Sequence, residues 1–155
     1  MGFDDWMLAL HVLSAFAMSS ALVLYAVLVF AGRRMTTLDE TRTLFRVAPV
    51  ATPLILGGSA LVLILGVVLA IDNDDYELWN LWIIAAIVLW AVTGALGQLT
   101  GKYYTETQEI AERGGEGAEA EVFGRLRAPT GARLHLATMG VFVLLLLDMI
   151  FKPGA

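Results

Sequence analysis

From Trp6 to Gly32 the chain carries no formal charge, and Arg33 and Arg34 then end the run. As an α-helix rising 1.5 Å per residue this run is about 40 Å long, whereas a bilayer's hydrocarbon core is about 30 Å thick. A soluble core helix is apolar along one stripe, but this one is apolar all round. A chain that contains it has to fold against lipid. A secretory signal would have a basic start and an apolar stretch of only about 7–15 residues. Here Asp4 and Asp5 precede a far longer run, which predicts a retained helix.

The same pattern recurs. The 155 residues are 58% hydrophobic with a mean hydropathy of +0.73, against about 45–50% apolar residues in soluble domains. The excess lies in four long runs. It predicts an all-α polytopic membrane protein, one membrane domain over 1–155 folded as a four-helix transmembrane bundle. The spans are expected near 5–32, 47–71, 77–104 and 131–151, with a cytoplasmic segment over 105–130. The absence of cysteine excludes disulfides, thiolate metal sites and cysteine nucleophiles. No phosphate loop, nucleophile motif or nucleic-acid patch is present, so the expected partners are the lipid bilayer and other membrane subunits or a second copy, not nucleic acid.

Local signals refine the spans. Ser14, Ala17 and Ala21 form a small-residue stripe on which another helix can approach closely. Thr37-x-x-Glu40 is a capping box that predicts a helix start near Leu38. Pro49 and Pro53 predict a kink, since each removes an amide donor. Gly57, Gly58 and Gly66 mark the second span as close-packing. Asp72 to Asp75 reads as an acidic turn, with Asp74-x-x-Glu77 opening the third span. Trp79 and Trp82 are placed as interfacial aromatics. Gly97-x-x-x-Gly101 is a candidate packing pair. After Gly114 to Gly117 a short helix is expected to Arg127.

Nine of the ten basic residues fall at or beyond the ends of the first and third spans, with Lys102 in the last turn of the third and Arg133 in the first turn of the fourth, and only Lys152 lies elsewhere. By the positive-inside rule both basic segments face the cytoplasm and both termini face outward. Arginine outnumbers lysine eight to two in a chain rich in Ala, Gly, Leu and Val. That compositional bias points to a bacterial inner membrane as the location.

Few polar groups lie within the spans. His11 sits near the outer end of the first and His135 near the inner end of the fourth. Imidazole binds haem iron, copper and zinc, and relays protons. Counted along the helices, the two differ in depth by about 16 to 30 Å, too far to share one ion with bonds of about 2 Å. Asp148 is costly in lipid unless paired or wet. It is either bonded to His11 across helices or turned toward the interface to meet Lys152 at i+4. Met7 shares a face with His11, and thioether with imidazole suits copper, although methionine at helical spacing is also ordinary packing. Tyr103, Tyr104, Arg133 and His135 read as an inner girdle at lipid headgroup level. No catalytic residue is expected.

Leu10-His11-Val12, Gly32-Arg33-Arg34, Arg133-Leu134-His135 and Phe151-Lys152-Pro153-Gly154 together resemble a family of small bacterial four-helix integral membrane proteins without assigned function. More distantly the chain is similar to copper-resistance D-type membrane proteins and HemJ-type protoporphyrinogen oxidases. In the HemJ type a first-helix histidine ligates haem, and the matching position is His11. The resemblance implies haem b or copper as the cofactor, if any. The leading expectation is an accessory or scaffolding subunit of a larger membrane complex, such as a respiratory one. The alternatives are a haem or copper protein using His11, and a proton-coupled transporter working as an oligomer through Asp148.

Overall fold

A computed structural model describes residues 2–72 and 76–154, and among them every regular element is helical. In order these are α1 (Phe3–Gly32), α2 (Leu38–Phe45), α3 (Ala48–Asp72), α4 (Leu81–Arg113), α5 (Ala118–Arg127) and α6 (Pro129–Phe151). Four stretches are long and apolar enough to cross a membrane: Phe3–Gly32, Leu38–Asp72, Leu81–Arg113 and Ala118–Phe151. The second and fourth contain short polar α2 and α5, so their apolar lengths belong to α3 and α6. The outward side chains are large and greasy: Phe16, Leu56 and Ile71 are each 65% exposed or more. A soluble monomer does not present such a continuous apolar surface to water.

The four long helices form two hairpins. α1 packs along α3, and α4 along α6, while α1 and α6 make the lesser contact between the pairs. The reason for the first pairing is visible in small residues. A Cβ added at Gly58 would lie 3.0 Å from the Ser14 carbonyl oxygen and 3.1 Å from the Met18 amide nitrogen. The α1 stripe through Ser14 and Ala17 is therefore the seat of α3, as its spacing predicts. Gly58→Leu is expected to force the two helices apart at a cost of about 1–3 kcal/mol. An unchanged thermal midpoint in detergent for this variant would rule out that seam.

Each boundary has a local cause. Asp5 accepts from the Gly2 amide at 2.8 Å and, with Asp4, places negative charge at the start of α1. The Thr37 hydroxyl accepts from the Glu40 amide while Glu40 accepts from the Thr37 amide, so the expected capping box is present. The proline effect differs from the expected kink. The chain breaks at Arg46 and Val47, and Pro49 falls in the first turn of α3, where a missing amide costs nothing. Pro53 alone lies inside α3. α4 begins at Leu81 rather than near Glu77, so Trp79 stands in the turn before it. The proposed acidic turn and its Asp74 start signal lie largely outside the described residues. The Gly97-x-x-x-Gly101 pair is not a close helix contact. A Cβ at Gly97 would meet only Thr138 at 3.9 Å, and one at Gly101 would meet nothing within 4 Å.

At the arginine end, α2 and α5 pack on the projecting last turns of α4. Val29, Phe45, Tyr104, Ala111, Val122 and Leu126 make its core. Arginines tie the pieces through backbone carbonyls. Arg33 donates to Ala128 at 3.1 Å and Arg42 to Ala111 at 2.9 Å. At the opposite end, which holds both described termini, no such cap closes the bundle among the described residues, and the hairpins stand apart.

Candidate functional site

The gap between the hairpins is a cleft of about 500 Å³ bordered by α1, α3, α4 and α6. Its floor is Trp90, whose indole N–H donates to the Ser59 hydroxyl at 2.9 Å and to the Ser59 carbonyl at 3.1 Å. This bond ties α4 to α3 at mid-depth. Above it the walls are apolar, with Ile83, Ala86, Leu145 and Met149 among them. The mouth carries Asp4, Asp5, Tyr76 and Lys152. Trp82 lines the cleft just inside.

His11 is the deepest titratable group of the lining. Its ring is seated in the α1–α3 seam: a Cβ on Gly66 would lie 3.0 Å from His11 Cε1, and the Val62 backbone carbonyl is beside it. His11 also lines a second, smaller cleft of about 280 Å³ with Phe16, Met18 and Phe142, so it stands as the partition between the two. Its Nδ1 is buried with no hydrogen-bond partner among the described residues. Trp82 Nε1 and Asp148 Oδ2 share that condition. His135 Nε2, near the start of α6 at the other end, is a fourth, and since buried polar atoms are normally satisfied each of these groups is open to a partner.

The expected site residues separate. His11 and Asp148 are not bonded to each other, because α1 turns its histidine toward α3 rather than α6. Asp148 does not bond the Lys152 amine either. The backbone reverses at Lys152, and the amine instead donates to the Tyr76 hydroxyl at 2.6 Å. Met7 and Asp148 are absent from the walls of both clefts, whereas Met149 lines them with His11. Among the described residues no three His, Asp or Glu side chains gather as a metal cluster. The inner girdle also divides. Arg133 is exposed and Tyr103 half-buried, but His135 and Tyr104 are buried within protein at 2% and 4% exposure. Their burial follows from Gly131, where α6 starts so close to α4 that a Cβ would lie 2.8 Å from Tyr104 Cζ and 2.9 Å from Tyr103 Cε1. Trp82 likewise departs from its expected interfacial place. It is 6% exposed and stands edge-on to Tyr76, whereas Trp79 is 71% exposed.

Sequence reasoning passed over Trp90, Ser59 and Tyr76. A lone tryptophan and serine inside apolar runs were a signal, since a buried indole N–H seeks an acceptor. Tyr76 stands just before a span, where it reads as one more interfacial aromatic.

Four apolar spans, a polar cap at one end and an apolar cleft at the other define an all-helical, multi-pass membrane protein with an internal cleft. Comparison with family models, with curated proteins and with solved structures gives no match, so the chemistry of the cleft has to be read from its own residues.

Proposed function

We propose that this protein is a non-catalytic, ligand-binding membrane protein that holds a lipid-soluble molecule in the cleft beside His11. The observation that carries this reading is the cleft itself. At about 500 Å³ it falls within the range of about 300–1,000 Å³ typical of small-molecule sites, and its few polar groups sit among apolar walls. An orphan His11 Nδ1 gives a ligand one polar anchor, since neutral imidazole offers one donor and one acceptor. Native mass spectrometry of protein released from its own membranes is expected to show one bound lipid-soluble molecule. Bare protein alone under conditions that keep the fold would defeat this reading.

A copper site that pairs Met7 with His11 has no support here, since Met7 is absent from the cleft walls.

An accessory role is the second reading, and α3 is its support. Only 11% of the most apolar window of Leu38–Asp72 is buried, and a Cβ on Gly57 would meet nothing. That face has room for a helix of another subunit. Cross-linking from Gly57→Cys in native membranes that yields no protein adduct would argue against it. The orientation we propose puts the arginine end in the cytoplasm and both termini outside, since the exposed Arg34, Arg46, Arg127 and Arg133 all lie at that end. A cysteine placed at exposed Glu119 and labelled by an impermeant reagent from outside would reverse it.

A further inference from the structure

We propose that the cleft takes a lipophilic organic cation, and that the Lys152 ammonium keeps that cation's place while the cleft is free. The inference rests on the ligand-binding reading above and names the ligand's class.

The first support is an aromatic pair that already holds an ammonium. The Tyr76 and Trp82 rings meet edge to face, with centroids 5.1 Å apart and planes at 76°. The Lys152 amine donates to the Tyr76 hydroxyl at 2.6 Å, which sets it beyond the hydroxyl end of that ring, and it lies 5.3 Å from the Trp82 centroid. Ring faces attract cations within about 6 Å, and more strongly where water is excluded. Trp82 is buried, and all three residues line the cleft. The Tyr76 hydroxyl and the Trp82 ring thus already receive a positive nitrogen from the chain itself. Below it, Trp90 and the apolar walls offer a place for a hydrophobic body.

The second support is charge. Asp4 and Asp5 line the same mouth, two carboxylates against one ammonium among the described lining residues. Helix dipoles do not decide the sign. α1 and α4 begin at this end and α3 and α6 finish there, so two positive and two negative ends oppose one another. The side chains decide, and they favour a cation.

The third support is how Lys152 is held. It is the one non-glycine residue with positive φ among those described, at +41°, and its amide donates to the Asp148 carbonyl as α6 ends. L-residues avoid this region. The reversal returns the side chain over the cleft mouth instead of letting it extend into water, where a lysine this close to a helix end would ordinarily reach.

A ligand cation would displace the lysine, whereas an anionic amphiphile would pair with it. The two classes therefore predict opposite effects of removing the amine. Tetraphenylphosphonium and tetraphenylborate have nearly the same shape and opposite charge, so they separate the cases. Equilibrium binding is measured on the full chain in nanodiscs of zwitterionic lipid, with uptake by protein-free nanodiscs subtracted. Tetraphenylphosphonium is expected to bind about tenfold more tightly than tetraphenylborate. Lys152→Gly and Lys152→Gln should each strengthen phosphonium binding several-fold, and the glycine variant also relieves the positive φ. Trp82→Leu should weaken it about tenfold, while Trp82→Phe, which keeps a ring, should retain most of it. Helicity by circular dichroism identifies any variant that fails to fold. Preferential borate binding, or weaker phosphonium binding in both Lys152 variants, overturns the cation assignment but leaves a ligand-binding cleft. Binding of neither probe also overturns it, and the broader reading then stands or falls on the native mass spectrum.

Discussion

A tryptophan in place of Val67 is expected to abolish ligand binding while leaving the bundle folded. Val67 lines the cleft from α3 and is half-buried, so a larger side chain there grows into existing space. Overpacking a filled core costs about 1–3 kcal/mol, but filling a void restores dispersion contacts that the walls otherwise lack. The thermal midpoint should therefore hold or rise slightly. The bound molecule seen by native mass spectrometry should be lost, with affinity for any cleft ligand reduced by more than about tenfold, because a ligand and an indole cannot share the volume. A variant that melts normally and keeps its full complement of bound molecule would show that the ligand sits elsewhere.

The second large effect is expected at the other end. Arg125→Ala should lower stability by about 2–3 kcal/mol. Arg125 on α5 donates from Nε to the Thr107 hydroxyl at 3.0 Å, and from its terminal nitrogen to the Tyr103 carbonyl at 3.3 Å and to Glu106 at 2.8 Å. Its guanidinium also lies 4.8 Å from the Tyr103 ring centroid. The ion pair with Glu106 is the smaller part. The two side chains are 27% and 45% exposed, and such pairs contribute at most about 1 kcal/mol. The larger part is Thr107, which is fully buried and would lose the donor to its hydroxyl oxygen. Arg125→Lys should lose most of the same stability, because an ammonium cannot reproduce the fork. A thermal midpoint unaffected by either substitution would show that α5 docks by its apolar face alone, through Ala118, Val122 and Leu126.

Much of the architecture is legible before folding. The uncharged run to Gly32, the Thr37–Glu40 cap and the Ser14–Ala17 stripe each report a local rule, and local rules survive into the structure. The short helix ending at Arg127 also forms as its pattern predicts. The polar side chains in the spans behave differently. Depth along a helix can be counted from residue numbers, and counted from the outer ends it brings His11 and Asp148 to similar levels. It cannot report rotation about the helix axis, which turns His11 to α3. Nor can it foresee Gly131, whose missing Cβ brings α6 onto Tyr103 and Tyr104 and draws His135 out of the headgroup layer.

The amino-acid sequence by itself determines that this chain is a bundle of four apolar helices with its arginines at one end, because hydrophobicity and helix geometry act over one or two turns. Only the tertiary structure decides which helices pair, that the pairs part above Trp90, and that Lys152 returns over Tyr76 and Trp82. Those outcomes depend on which small residue faces which backbone across a seam, a relation between segments far apart in the chain.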